Sequence, residues 1–365
     1  MSISFDTIPA SIRKPGAYFE FNTSLAVRTL PTNRQSICLI VPLGPNATVP
    51  ANVPTQFYSA DEAGELFGPV AKEMTEAAIK AYRYVAISAV GVVVEGDAEP
   101  NISAALDATA MGGFTILVPA WFTQSALTAL RTHIQTYTDS IEQQSIIGVA
   151  ALTGTLSAAT TLAASLNSGA ITLAVLPGTA SSPRQVAAAY AAVIASEEDP
   201  ARPLNTLVLG GVQAPGITKR LGRTEQETAL ANGVTPLEVG AGDVVQIVRA
   251  VSTYTKSAAG ANDVSLVDLT TIRTLYYVRN ACRERVRLRF PRSKLSVKTP
   301  GAVRGELLDV LKKLEELEIV EEVDANAAGL VVERSAQDVN RLNASIPTDV
   351  VNGLHVFAGR IDLLL

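Results

Sequence analysis

The sequence predicts an α/β chain: a mostly parallel sheet sandwiched by helices, followed by a C-terminal α+β region, with an extended arm at each end. Three observations predict it. From Gln35 to Gly211 short apolar runs alternate with alanine-rich helical runs, the pattern of a parallel sheet buried on both faces. Beyond Gly211 the texture turns loop-rich and then strongly charged, with apolar residues returning at helical spacing. Both ends carry β-forming residues with no partner nearby in the chain. These shifts divide the chain into an N-terminal arm (1–31), an α/β core domain (32–215), a connecting hairpin region of that core (216–262), a C-terminal α+β domain (263–345) and a C-terminal arm (346–365).

The first arm holds Pro9, Pro15 and Pro31, a turn signal at Gly16 and a β-rich patch with Tyr18, Phe19 and Phe21. Strands are expected at Ile37–Leu43, Tyr84–Val90, Thr115–Pro119, Ile146–Ala151, Thr172–Leu176 and Thr206–Leu209. Helices are expected near 69–82, 101–110, 123–141, 155–166 and 183–196. A short helix from Thr224 to Ala231 has Thr224 as N-cap and Glu227 at the capping-box position. A hairpin, Leu237–Val239 with Val244–Ser252, turns at Gly240–Asp243. Next come a long helix Ser265–Cys282, a strand Arg283–Phe290, a basic loop Pro291–Pro300, an amphipathic helix Ala302–Val323 and a strand Leu330–Arg334. The chain closes on a strand from Leu354 onward, apolar on both faces, in which Leu354, Val356, Phe357, Ile361 and Leu363 are the residues to be covered. A bare strand of this kind is a template for pairing with another chain, so both arms are read as inter-subunit elements.

Composition narrows the function. The 365 residues are 47% hydrophobic and 18% charged, which is globular and large enough for two or three cores. A net charge of −5 argues against nucleic acid as the partner. Cys38 and Cys282 are far apart with no CxxC, so no disulfide scaffold or zinc site is expected. No apolar leader or run of about 18 apolar residues is present, so the expectation is a soluble protein made in the cytoplasm, without membrane insertion. From Asn101 to Ser196 only Asp107, Arg131, Asp139, Glu142 and Arg184 are charged. Such a surface suits close neighbours, although an alanine-rich composition explains it equally well.

Catalytic vocabulary is thin. His133 and His355 stand apart from any serine elbow, and GxSxG, HExxH, GxxxxGK[ST] and GxGxxG are all missing. Ser182 before Pro183 reads as a helix N-cap. No catalytic residue, metal ligand or cofactor is therefore assigned. The charged region is more informative. Residues 273–298 carry nine basic side chains and one acid, Glu284. Read as a strand, Arg283, Arg285, Arg287 and Arg289 share one face and Val286, Leu288 and Phe290 the other. Part of this charge is expected to pair with the acidic stretch Glu315–Asp324, and part to face an acidic partner. The exposed candidates are Lys294, Lys298, Arg304, Lys312 and Lys313.

Three blocks together resemble one family. The opening ISFDTIPASIRKPGAYFEFNTSLAVR, the pair ANGVTPLEV and VVQIVRAVSTY, and the run from RLRFPRSKL through VRGELLDVLKKLEELEIVEEVD to LVVERSAQDVNRLNASIPTDVVNGLHVFAGRIDLLL are similar to contractile phage tail sheath proteins, those of Mu-like phages in particular. The resemblance implies a structural, non-enzymatic subunit without cofactor that forms hexameric rings stacked around an inner tail tube. Its arms would complete sheets on neighbouring C-terminal domains, and residues 263–345 would be the tube-proximal domain, with Lys294, Lys298, Arg304, Lys312 and Lys313 facing the tube. The implied partners are further copies of the chain, the tube protein, and baseplate and terminator proteins. The implied location is the virion tail, assembled in the host cytoplasm. A tailocin or other contractile injection machine would need the same subunit. An α/β enzyme or binding protein that oligomerises by strand exchange is the alternative of another class.

Overall fold

A computed structural model describes residues 30–96 and 99–363, together with Lys14 and Gly16. Tyr18, Phe19 and Phe21 of the N-terminal arm lie outside the described residues. The chain opens with β1 (Ser36–Pro42), β2 (Thr55–Gln56), α1 (Ala60–Leu66), α2 (Pro69–Ala81) and β3 (Ala86–Val92). It continues through α3 (Ser103–Thr109), β4 (Ile116–Pro119), α4 (Gln124–Tyr137), β5 (Ile147–Leu152), α5 (Leu156–Leu166), β6 (Ile171–Val175) and α6 (Pro183–Ser196). Then follow α7 (Arg223–Ala231), β7 (Thr235–Val239) and β8 (Val245–Ile247).

These eight strands form one sheet in the order β2-β3-β1-β4-β5-β6-β7-β8. Pairing is parallel from β3 through β7 and antiparallel at the two edges, where β2 joins β3 and β8 joins β7. The fold class is the α/β class predicted above. Period-two alternation divides β1 between two cores: Ile37, Leu39 and Val41 face α1, α2 and α6, while Cys38 and Ile40 face α3, α4 and α5. Helix α6 is buried at every position from Val186 to Ala195. The lack of charge from Val186 to Ala195 therefore reflects burial between the sheet and α2, whereas the exposed positions Ser157, Ala158 and Thr161 of α5 are uncharged in solvent. Tyr190 of α6 is fully buried against the sheet, its hydroxyl 2.9 Å from that of Thr172 in β6 and 3.3 Å from that of Thr235 in β7.

The remainder comprises α8 (Leu269–Arg289), α9 (Thr299–Glu316), β9 (Val320–Glu321), α10 (Val323–Asn326), β10 (Val331–Arg334), β11 (Leu342–Ser345) and β12 (Asp349–Val350). Helices α8 and α9 pack around a third core of Val278, Cys282, Leu307, Val310, Leu311 and Leu314. Two antiparallel ribbons, β10–β11 and β9–β12, lie beside them.

Several expectations need correction. The strand Arg283–Phe290 is instead the last two turns of α8, because Cys282, Arg285 and Val286 continue the inward face at helical spacing. Thr206–Leu209 is not a strand; Thr206 takes a φ of 64°, which breaks the extended run and leaves one bridge from Val208 to Gln246. The third strand starts at Ala86, two residues later than expected, with Tyr84 exposed. Helix α7 is capped at Gly222, whose amide donates to Glu225, in place of Thr224 and Glu227. Helix α9 ends at Glu316, where Leu317 closes it and Glu318 turns to a φ of 55°. The Val351 amide still donates to the Ile319 carbonyl at 3.3 Å, but residues 352–363 form no strand and pair with none among the described residues.

Candidate assembly interface

The C-terminal region is fastened to the loops after α4 and α6 by arginines of α8. Arg279 donates to the carbonyls of Thr138 and Gln144 at 2.7 and 2.6 Å, and Arg283 to that of Gln143 at 3.1 Å. The buried Arg273 donates to the Glu197 carbonyl, and its burial lowers its pKa to about 10. One turn apart on the opposite side, Arg285 and Arg289 face α9. Arg285 meets Asp309 at 2.5 Å and Glu306 at 3.1 Å, and Arg289 meets Glu306 at 3.1 Å. The Arg285 side chain is 2% exposed, and desolvation opposes its charge, but the two carboxylates outweigh that and raise its pKa. Internal pairing of the basic run is thus real, but its acids are Glu306 and Asp309. The expected acids between Glu315 and Asp324 serve otherwise: Glu315 accepts from the Val323 amide and Asp324 pairs with Lys312.

The tube-facing candidates separate into two kinds. Lys294 and Lys298 are exposed on the loop ahead of α9. Arg304 is half-buried and donates to the carbonyls of Leu330 and Ala327, both at 2.7 Å, tying α9 to the turn before β10. Lys312 pairs with Asp324 at 2.8 Å and Lys313 with Asp309 at 3.3 Å. The structure brings Lys294 and Lys298 together and spreads the other three along α9 with partners of their own.

A groove of about 700 Å³ runs between α8, the start of α9 and the β10–β11 ribbon. Its walls are mostly apolar: Val278, Cys282 and Val286 from α8, Leu307 from α9, and Val332 and Leu342 from the ribbon. Among the described residues no further strand pairs with either edge of that ribbon. Burial raises the Cys282 thiol to about 11, so it acts here as an apolar surface. The chain's tail shows the opposite imbalance. Leu354, Val356, Phe357, Ile361 and Leu363 are each 78% or more exposed. At the other end of the described chain, Leu30 packs against the third core and the Pro31 carbonyl accepts from the Tyr277 hydroxyl at 2.9 Å.

Other polar groups have structural duties. The Ser182 hydroxyl accepts from the Gln185 amide in a capping box at the start of α6. His133 is buried between α3 and α4, near Thr109 at 3.4 Å and Asp107 at 3.5 Å, and burial lowers its pKa despite that carboxylate. Among the described residues no cluster of three metal-ligating side chains occurs, and no helix is long and apolar enough to cross a membrane. Sequence reasoning missed the groove and the Glu306–Asp309 pair. The pair had a signal, an i, i+3 acidic spacing on one face of a helix that follows the arginines.

Family-wide sequence patterns match on both sides of this interface. The phage tail sheath protein central domain matches residues 95–253, and the phage tail sheath C-terminal domain matches residues 261–363. The chain belongs to the phage tail sheath family. It is also similar to the Mu-like prophage FluMu tail sheath protein of Haemophilus influenzae, 36% identical over 192 residues, which cover 49% of this chain and 39% of the relative. The match thus spans about two fifths of that relative's length. Among solved structures, the contracted helical sheath of the anti-feeding prophage superposes with a TM-score of 0.64 at 14% identity, covering 96% of this chain and 98% of that one. The sheath tail protein of Desulfitobacterium hafniense gives a TM-score of 0.64 at 10% identity, with 93% and 97% covered. At these identities the likeness is one of fold. The shared fold therefore reaches described residues before 95 that neither family pattern covers.

Proposed function

We propose that the chain is the structural subunit of a contractile sheath, in a phage tail or a related injection machine such as a tailocin, and that it assembles by exchanging its arms with neighbouring copies. The observation that carries this reading is the match between a surplus and a deficit. The tail offers five large apolar side chains to solvent, while the C-terminal region holds an apolar groove beside a ribbon whose edges pair with no further strand among the described residues. An added strand would satisfy backbone groups at the ribbon edge and bury alternate side chains against α8. Family membership supports the same reading. In it, subunits form hexameric rings stacked around a tube and anchored at a baseplate and a terminator in the virion tail. Contraction is a cooperative shift between two packings of one mesh, driven by free energy stored at assembly, with no nucleotide chemistry. The five-part division of the chain, with residues 263–345 nearest the tube, belongs to this proposal, as do Tyr18, Phe19 and Phe21 as contacts of the first arm.

The test is electron microscopy of the purified full chain beside a variant lacking Val356–Leu365. Hollow tubes are expected from the first and discrete, folded particles from the second. Tubes of normal length from the truncated chain would overturn arm exchange, and small oligomers from both would favour an α/β protein of another class.

A further inference from the structure

We infer that His355 anchors the C-terminal arm to its own subunit, so that the segment handed to a neighbour begins at Val356. The inference rests on the arm-exchange reading and adds to it a positioning residue and a boundary. After β12 the tail does not leave the surface at once. Val351, Gly353 and His355 are partly covered while Asn352 and Leu354 are exposed, an alternation that ends at His355; every described residue after it is exposed.

At that point three segments converge on the imidazole. The Asn205 side-chain nitrogen lies 3.0 Å from His355 Nδ1, and Asp268 Oδ1 lies 3.3 Å from Nε2. Asp268 precedes α8 and is itself gripped at both oxygens by Arg249, at 2.8 and 2.7 Å. The charged groups facing the ring are thus Asp268 and Arg249, and the third neighbour, Asn205, is neutral. With Asn205 donating, Nδ1 is the unprotonated acceptor and the hydrogen sits on Nε2, which lies 3.3 Å from Asp268 Oδ1 without forming a hydrogen bond.

Gly353 adds an independent observation. A Cβ there would come within 2.6 Å of the Pro203 side chain and 2.9 Å of the His355 ring, so the close approach of the tail to this loop requires glycine. Burial and Arg249 lower the His355 pKa against the pull of Asp268, which keeps the docked ring neutral at pH 7.

The anchor sets the arm's reach. Ten residues from Val356 to Leu365 span roughly 33 Å when extended, whereas an arm free from residue 346 would span about twice that. A shorter tether holds the apolar segment at higher effective concentration near an adjacent groove and limits which neighbour it can reach.

The chain has two histidines, so NMR of histidine-labelled full chain resolves the anchor directly, with His355→Asn assigning the signals. In unassembled subunits His355 should titrate below 6.5, and Asn205→Ala should move it towards 6.5. Electron microscopy then measures assembly. His355→Ala and Asn205→Ala should raise the protein concentration needed for tubes about fivefold, the scale of one lost hydrogen bond, and His355→Asn, which keeps an acceptor near the Nδ1 position, should recover most of it. A wild-type His355 that titrates like free imidazole would overturn the anchor. A normal assembly threshold in both alanine variants would overturn its positioning role. Failure of arm exchange itself would show separately, as normal tubes from the chain lacking Val356–Leu365.

Discussion

The sheet and the α8–α9 region solve the burial problem differently. The sheet closes on itself: each central strand is covered on both faces, and its edges end in short antiparallel strands. The α8–α9 region has one smaller core, holds its helices together with arginine–carboxylate pairs, and among the described residues leaves a groove and the edges of two ribbons unpaired. A self-sufficient body joined to an unfinished one is what a mesh of exchanged segments requires. In the proposed arm exchange, the body would keep its shape while contacts made through the unfinished part change.

The largest expected effect sharpens this contrast. Leu117 is fully buried in β4, and Leu117→Ala should cost about 3–5 kcal/mol and lower the stability of the whole sheet together. Arg285→Ala should cost about 3 kcal/mol, toward the low end for a broken buried pair because Arg289 still holds Glu306 and Lys313 still holds Asp309. Hydrogen exchange distinguishes the two variants. Protection should fall throughout β1, β4 and β5 in the first, but only along α8 and α9 in the second. Equal loss across the sheet from Arg285→Ala would mean that the two regions unfold as one unit.

The same contrast governs what could be read from the sequence. Strands β1, β4, β5 and β6 fall within one or two residues of their expected positions, because a buried parallel strand has one apolar pattern and few alternatives. The region built on charge was less legible. Arginine at every second position imitates a strand face, yet on a helix it makes two rows: Arg283 and Arg287 on one side, Arg285 and Arg289 on the side of α9. Only the partner helix decides between these readings, and its Glu306 and Asp309 are distant in sequence. The groove was illegible for a related reason, since its walls come from α8, α9 and the β10–β11 ribbon at once. Leu354 to Leu363, read from the sequence as a strand apolar on both faces that pairs with another chain, pairs with no strand among the described residues, and its large apolar side chains stand in solvent.

Acid should act at both regions with a smaller effect. His133 and His355 both have pKa values lowered by burial, so the folded chain binds fewer protons than the unfolded one wherever free imidazole titrates. Their contribution is fully present above about 6.5 and declines as pH falls from there through each lowered value. Denaturant midpoints measured from pH 7.5 to 5 should decrease, and His133→Gln should flatten the part due to the sheet. The part due to His355 should instead appear as earlier loosening of the tail, seen by NMR before the sheet melts. A midpoint that rises on acidification would contradict both assignments.

The smallest effect on stability is expected where the effect on assembly is most specific. Lys294 and Lys298 are exposed on the loop before α9, whereas Arg304, Lys312 and Lys313 have partners within the chain. Reversing both lysines to glutamate should change the unfolding free energy by less than about 0.5 kcal/mol, as for surface charges away from packed features. A sheath must release its tube when it contracts, and exposed ion pairs, individually weak and screened by salt, suit a contact that forms and then breaks. The double variant should therefore still polymerise alone in the contracted form, yet fail to assemble in the extended form around tube. Raising salt should weaken extended assembly of the wild type in the same direction. Normal extended assembly by the double variant would remove Lys294 and Lys298 from the tube contact and shift it to Arg287, Arg292 and Arg334, exposed cations on or beside this loop.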